Sequence, residues 1–135
     1  MTDPDLVAKR LAVIETCVAE LRRLARPEAI ASDIREQRFV EHTLQIAIQA
    51  AVDVASHIVS DERLGEPATN RQLFDLLARA GWLQPDLAEI LKRMTAFRNI
   101  LVHGYQTVDL EILRDIAEHR VEDLLRFTTA LRARL

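Results

Sequence analysis

Residues 98–105, RNILVHGY, bring together Arg98, Asn99, His103 and Tyr105, side chains whose chemistry suits a phosphodiester. Cleaving RNA without a metal requires a base that takes the 2′-hydroxyl proton and an acid that protonates the 5′-oxygen leaving group. It also requires a cation over the phosphorane as negative charge develops. Arginine suits that last task because its planar fork matches phosphate oxygens, and histidine exchanges protons near neutral pH. Asn99 adds an amide, and Tyr105, the only tyrosine in the chain, adds a phenol. One histidine does not easily serve both sides of a scissile bond. Two protomers facing each other across a twofold axis would supply two histidines and two arginines.

Spacing alone carries little of this. The pattern of arginine, four residues, then histidine occurs at Arg98/His103 and again at Arg114/His119. With sixteen arginines and four histidines in the chain, chance supplies roughly half an occurrence. Arg114 and His119 fall within a predicted continuous helix, where five residues turn two side chains about 140° apart, so that pair reads as a solvated face. Gly104 stands where a helix C-cap would be, which puts His103 at or just beyond a last turn. A re-aimed terminus there can bring the histidine toward Arg98, and the negative end of the helix dipole favours imidazolium. The competing reading is an arginine and a histidine that merely cap a helix.

The elements that must position these residues are all helical. Helical periodicity runs nearly throughout and strand signals are absent. Asp3-Pro4 opens a first helix with Val7, Leu11, Ile14, Cys17, Val18, Leu21 and Leu24 on one wide face, closed by Pro27. Ser32-Asp33 signals a second, to about Ser60, apolar on most sides of its centre. One row interrupts that centre at spacings of three and four: Arg38, His42, Gln45, Gln49, Asp53, Ser56 and Ser60. It is either a solvated edge or the wall of a groove. Asp61 to Thr69 is a loop, Asn70 caps a short helix that Gly81 stops, and Pro85 opens a fourth helix ending at Gly104. A last helix spans about Asp109 to Leu135. The expected architecture is all-α, a single up-and-down bundle of about five helices in one domain over residues 1–135.

Composition narrows the partners. A formal net charge of −3 argues against a surface coated for nucleic acid, so any RNA contact must be local, built from a few arginines in a cleft. Cys17 is the only cysteine, which excludes an internal disulfide and a thiolate zinc site and suits a reducing cytoplasm. Its place on an apolar helical face marks it as core packing. The N-terminus lacks a basic start followed by an apolar run, and the most apolar stretch, residues 44–59, is too short and too polar to cross a bilayer. A cytoplasmic protein without a membrane partner is expected.

RNILVHGY resembles the R-x-x-x-x-H-x-Y motif of the HepT toxins, a branch of the HEPN superfamily of α-helical ribonucleases. Residues 41–60, with QAAVDVASH, resemble that family's second helix, and GWLQPDLAEILKRMTAFRNILVHGY resembles its fourth, so the likeness covers nearly the whole chain. It implies a HEPN-like fold and a metal-independent endoribonuclease without cofactor, acting as a homodimer with the motif at the interface. It makes Arg98 and His103 the catalytic pair, supported by Asn99. Tyr105 falls where a partner antitoxin, an MntA-like nucleotidyltransferase, transfers AMP and silences the toxin; the added bulk and negative charge would fill a phosphate cleft. Asp53 matches an acidic position common in the second helix, although pairing with His57 at i+4 would explain it structurally. A reading from another class is a non-catalytic helical module that assists a nucleotidyltransferase.

Overall fold

The computed structural model describes residues 2–103 and 108–135, His103 by its backbone alone. Helix α1, Pro4–Leu24, starts where the Asp3 carboxylate accepts the backbone N–H of Asp5 and Leu6, satisfying donors that a helix start leaves unpaired. A 3₁₀ turn at Pro27–Ala29 reverses the chain into α2, Ile34–Asp61, which Asp33 caps in the same way through Arg35 N–H. Both starts are the ones that the capping residues predict.

Helix α2 is the central rod. It packs against α1, against α3 (Asn70–Arg79), against α4 (Pro85–His103) and against α6 (Val121–Arg132). Its small and branched residues allow that crowding: Ala47, Ile48, Ala50, Ala51, Val54, Ala55 and Ile58 are all buried. The core continues through Leu11, Ile14, Phe74, Leu77, Leu91, Leu113, Leu124 and Phe127, with Phe74 and Phe127 meeting edge to face at 6.1 Å. Buried Thr43, Thr95 and Thr128 return their hydroxyls to carbonyls one turn back, so they leave no donor unpaired. Cys17 is buried, and its desolvation pushes the thiol pKa up, in keeping with core packing. Leu24, by contrast, is half exposed, because α1 ends before a partner covers that turn.

Helix α3 ends as Gly81 predicts. Gly81 has φ +82°, its N–H donates to Ala78, and Trp82 N–H reaches back to Leu77, the paired closure of a helix in which only glycine sits without strain. Trp82 and Leu77 are both buried, and Arg134 lies 4.3 Å from the Trp82 ring centroid. Thr69, not Asn70, precedes the first turn of α3, and its side chain makes no capping bond.

The last rod departs from expectation. Asp109 caps α5, Leu110–Asp115, but residues Ile116–Arg120 wind as a π-helix before α6 resumes. The wider i→i+5 winding changes which side chains share a side. Arg114 Nε and His119 Nε2 both reach Glu118, at 2.6 and 3.4 Å, so the two are not thrown to opposite faces as a continuous α-helix requires. Both remain exposed and paired with a carboxylate, which keeps them a solvated face.

Helix α4 is held at both ends by different chemistry. At its start, Arg126 of α6 donates to Asp86 at 3.0 Å and to Asp123 at 3.0 Å, and the Arg126 hydrogen bond holds the Asp86 carboxyl below its ordinary pKa. A carboxyl depressed by folding contributes stability above its unfolded pKa, 3.8, and loses it as pH falls through the lower folded value. Arg126→Ala should therefore flatten the decline in thermal stability between pH 5 and 2, read by circular dichroism melts against the parent chain. Phe74→Ala should cost about 3–5 kcal/mol in urea unfolding, because it empties the centre of the core.

Candidate functional site

The polar row of α2 divides on packing. Arg38, His42, Ser56 and Ser60 face solvent, whereas Gln49, which α4 meets, and Asp53, beside Leu6 and Arg10 of α1, are half-buried. The row is thus a solvated edge at its ends and an interhelical wall at its centre. Helix α4 delivers Arg98 to that wall. Arg98 Nη2 donates to Gln49 Oε1 and Arg98 Nη1 to Asn99 Oδ1 at 3.1 Å; Gln49 Nε2 in turn donates to Asp53 Oδ1 at 2.7 Å. The assignment of the Gln49 amide follows from its neighbours, because a guanidinium only donates and a carboxylate only accepts.

Asp53 does not pair with His57. Its carboxylate takes the Gln49 amide, one turn toward the N-terminus, and His57 Nε2 lies 3.0 Å from Asp61 Oδ2, one turn toward the C-terminus. Both are i,i+4 neighbours, and the side chains simply choose the other partner at that spacing. Sequence reasoning placed Gln49 in the row without singling it out. No motif marks a glutamine; its importance comes from the helix laid across it.

The Arg98 guanidinium is oriented without being neutralised. Among the described residues it forms no ion pair, and its Nε is buried without a hydrogen-bond partner. On the same two helices, Ile100 and Val102 of α4 and Ile46 of α2 are exposed at 39–41%. On a neighbouring side of α4 a cleft of about 180 Å³ lies between Ile90, Met94 and Phe97 and the α5–π segment at Ile112 and Ile116, with Arg93 and Arg120 at its rim. Its far wall includes the π turn, which no periodicity announces.

Arg98 is therefore linked to Asp53 through Gln49 and to Asn99 directly. The His103 backbone ends α4, one turn beyond Asn99. Its side chain, the expected Gly104 cap and Tyr105 lie outside the described residues. No group of three or more histidine, cysteine or acidic side chains with metal-holding geometry occurs among the described residues. No described helix is long and apolar enough to cross a membrane.

A family model described as "Ribonuclease HepT-like" matches residues 14–131. The chain is 31% identical over 130 residues to the mRNA nuclease HepT of Shewanella oneidensis, covering 96% of this chain and 98% of that one. It is 30% identical to the tRNA nuclease HepT of Aphanizomenon flos-aquae, over 79% of this chain and 74% of that protein. Among solved structures, the tri-AMPylated Shewanella oneidensis HEPN toxin in complex with MNT antitoxin superposes with a TM-score of 0.90 at 30% identity, covering 97% and 99% of the two chains.

If Arg98 served the fold as a helix-end brace, removing it would weaken the protein. Arg98→Met should instead change the unfolding free energy by less than about 1 kcal/mol, since the orphan Nε disappears with the hydrogen bonds. Urea denaturation of the two proteins decides it.

Proposed function

Because this chain belongs to the ribonuclease HepT-like family, we propose that it is a toxin endoribonuclease that cleaves RNA through a composite site of Arg98 and His103 from two protomers. The reading takes residues 1–135 as one HEPN-like domain acting in the cytoplasm. The observation that carries it is Arg98: oriented by neutral amides, unpaired with any described carboxylate, and left with free donors beside half-buried Asn99 and the end of α4.

In this mechanism the free guanidinium donors bind the non-bridging phosphate oxygens and meet the charge that develops in the phosphorane. Asn99 uses its carbonyl oxygen on Arg98, so its N–H₂ is the end that can donate to substrate. His103 of one protomer takes the 2′-hydroxyl proton, the 2′-oxygen attacks phosphorus, and His103 of the second protomer protonates the departing 5′-oxygen. The products are a 2′,3′-cyclic phosphate and a free 5′-hydroxyl, and the chemistry asks no cofactor of the protein. The exposed Ile46, Ile100 and Val102 support pairing around the site, since a twofold contact there would cover apolar surface and bring two copies of α4 together.

Regulation follows from the same placement. Tyr105 is the acceptor for AMP from an MntA-like nucleotidyltransferase; the relative from Shewanella oneidensis is AMPylated and held with its antitoxin. An adenylyl group two residues from His103 would set negative charge where the RNA phosphate must bind.

His103→Ala should lower RNA cleavage by a factor of about 10² to 10⁴ and relieve growth arrest, while gel filtration still reports the parent's dimer. Cleavage by the variant at the parent's rate would sink the mechanism. After co-expression with a neighbouring nucleotidyltransferase, peptide mass spectrometry should place AMP on Tyr105; a silenced toxin with unmodified Tyr105 would refute that assignment.

A further inference from the structure

We infer that Gln49 is the positioning residue of the site, a neutral spacer that lets Asp53 aim Arg98 without taking its charge. The inference rests on the ribonuclease reading for its consequence, but its geometry stands independently.

Three observations carry it. Asp53 accepts from Gln49 Nε2, and a carboxylate has no donor to offer, so the amide is locked with Oε1 turned to α4. That oxygen accepts from Arg98 Nη2, while Asn99 Oδ1 holds Nη1, so both terminal nitrogens are pinned by uncharged oxygens. The nearest acid on this path, Asp53, is kept one side chain away, and the buried Nε donor meets no acceptor among the described residues. Had a glutamate stood at position 49, the guanidinium would sit in an ion pair and a phosphate would have to displace it. A neutral amide gives the direction of the fork without competing for its charge.

The structure elsewhere shows the alternative. Arg126, Arg114 and Arg132 are each paired directly with carboxylates at 2.6–3.0 Å. Arg126 and Arg132 join elements of the fold, and Arg114 pairs along its own rod. Arg98 is held otherwise, though α2 offers Asp53 a single turn from Gln49.

The test uses the full-length protein with Gln49→Glu, Gln49→Met and Asp53→Asn, each checked for parental fold by circular dichroism. Binding is measured to a single-stranded RNA blocked by 2′-O-methyl groups, over a range of salt, and cleavage on the unmodified RNA. Gln49→Glu should weaken RNA binding about tenfold and reduce the salt slope by about 0.7, the share of one phosphate contact on a single strand. Gln49→Met keeps the charge but frees the fork, so it should retain the salt slope and lose about tenfold in kcat. Asp53→Asn, whose amide oxygen still accepts, should lose only two- to threefold.

Nuclear magnetic resonance of ¹⁵N-labelled arginine gives a readout apart from activity: rotation about the Arg98 Cζ–Nη bonds should be slow in the parent and fast in Gln49→Met. If Gln49→Glu binds and cleaves as the parent does with an unchanged salt slope, the spacer role is wrong. Equal rotation rates in the parent and Gln49→Met would overturn the aiming role. A parent that bound and cut no RNA, yet showed slow Arg98 rotation lost in Gln49→Met, would sink the ribonuclease reading and leave the positioning intact.

Discussion

The crowding around α2 is the constraint from which the rest follows. Four helices pack on a rod whose centre is alanine, valine and isoleucine, so α2 can spare only one narrow row for polar side chains. Where a helix crosses that row, the polar groups are enclosed and must find partners. Helix α4 meets it at Gln49, and the donor it brings is Arg98. The site is thus the place where the core's packing rule and the backbone's direction force a cation against an amide.

That arrangement also reconciles an acidic chain with the phosphate-binding role proposed for Arg98. A net charge of −3 leaves no broad positive field, so attraction has to be local and desolvated, where a single charge counts for more than on open surface. Most arginines of the chain that make ion pairs brace one helix against another or stabilise a turn, as Arg126 does for α4 and Arg132 for α1. The one held by amides alone stands where α4 nears its end.

Much of this was legible in the residues. Asp3 and Asp33 cap the helices they are expected to cap, the last rod starts at the expected Asp109, Gly81 closes α3, and the core buries the periodic apolar positions Leu87, Leu91, Met94 and Phe97 of α4. These features are local: a cap needs one side chain and the next few N–H groups, and a stripe needs only a period. The π turn at residues 116–120 was not legible, because a one-residue change in winding leaves the apolar pattern nearly intact and is settled by what the rod packs against. The partner of Asp53 was not legible either. Gln49 and His57 both lie four residues away, and only the arrival of Arg98 on one side decides which is engaged.

RNILVHGY by itself determined the chemical inventory: a guanidinium, an amide, an imidazole and a phenol within one short segment. Those are covalent facts about side chains, fixed before folding. Tertiary structure alone decided that Arg98 would be aimed by a glutamine forty-nine positions earlier in the chain, free of any described carboxylate. The reason is that a guanidinium's direction and its counter-charge are set by whatever packs across from it, and α2 presents an amide there in place of an acid.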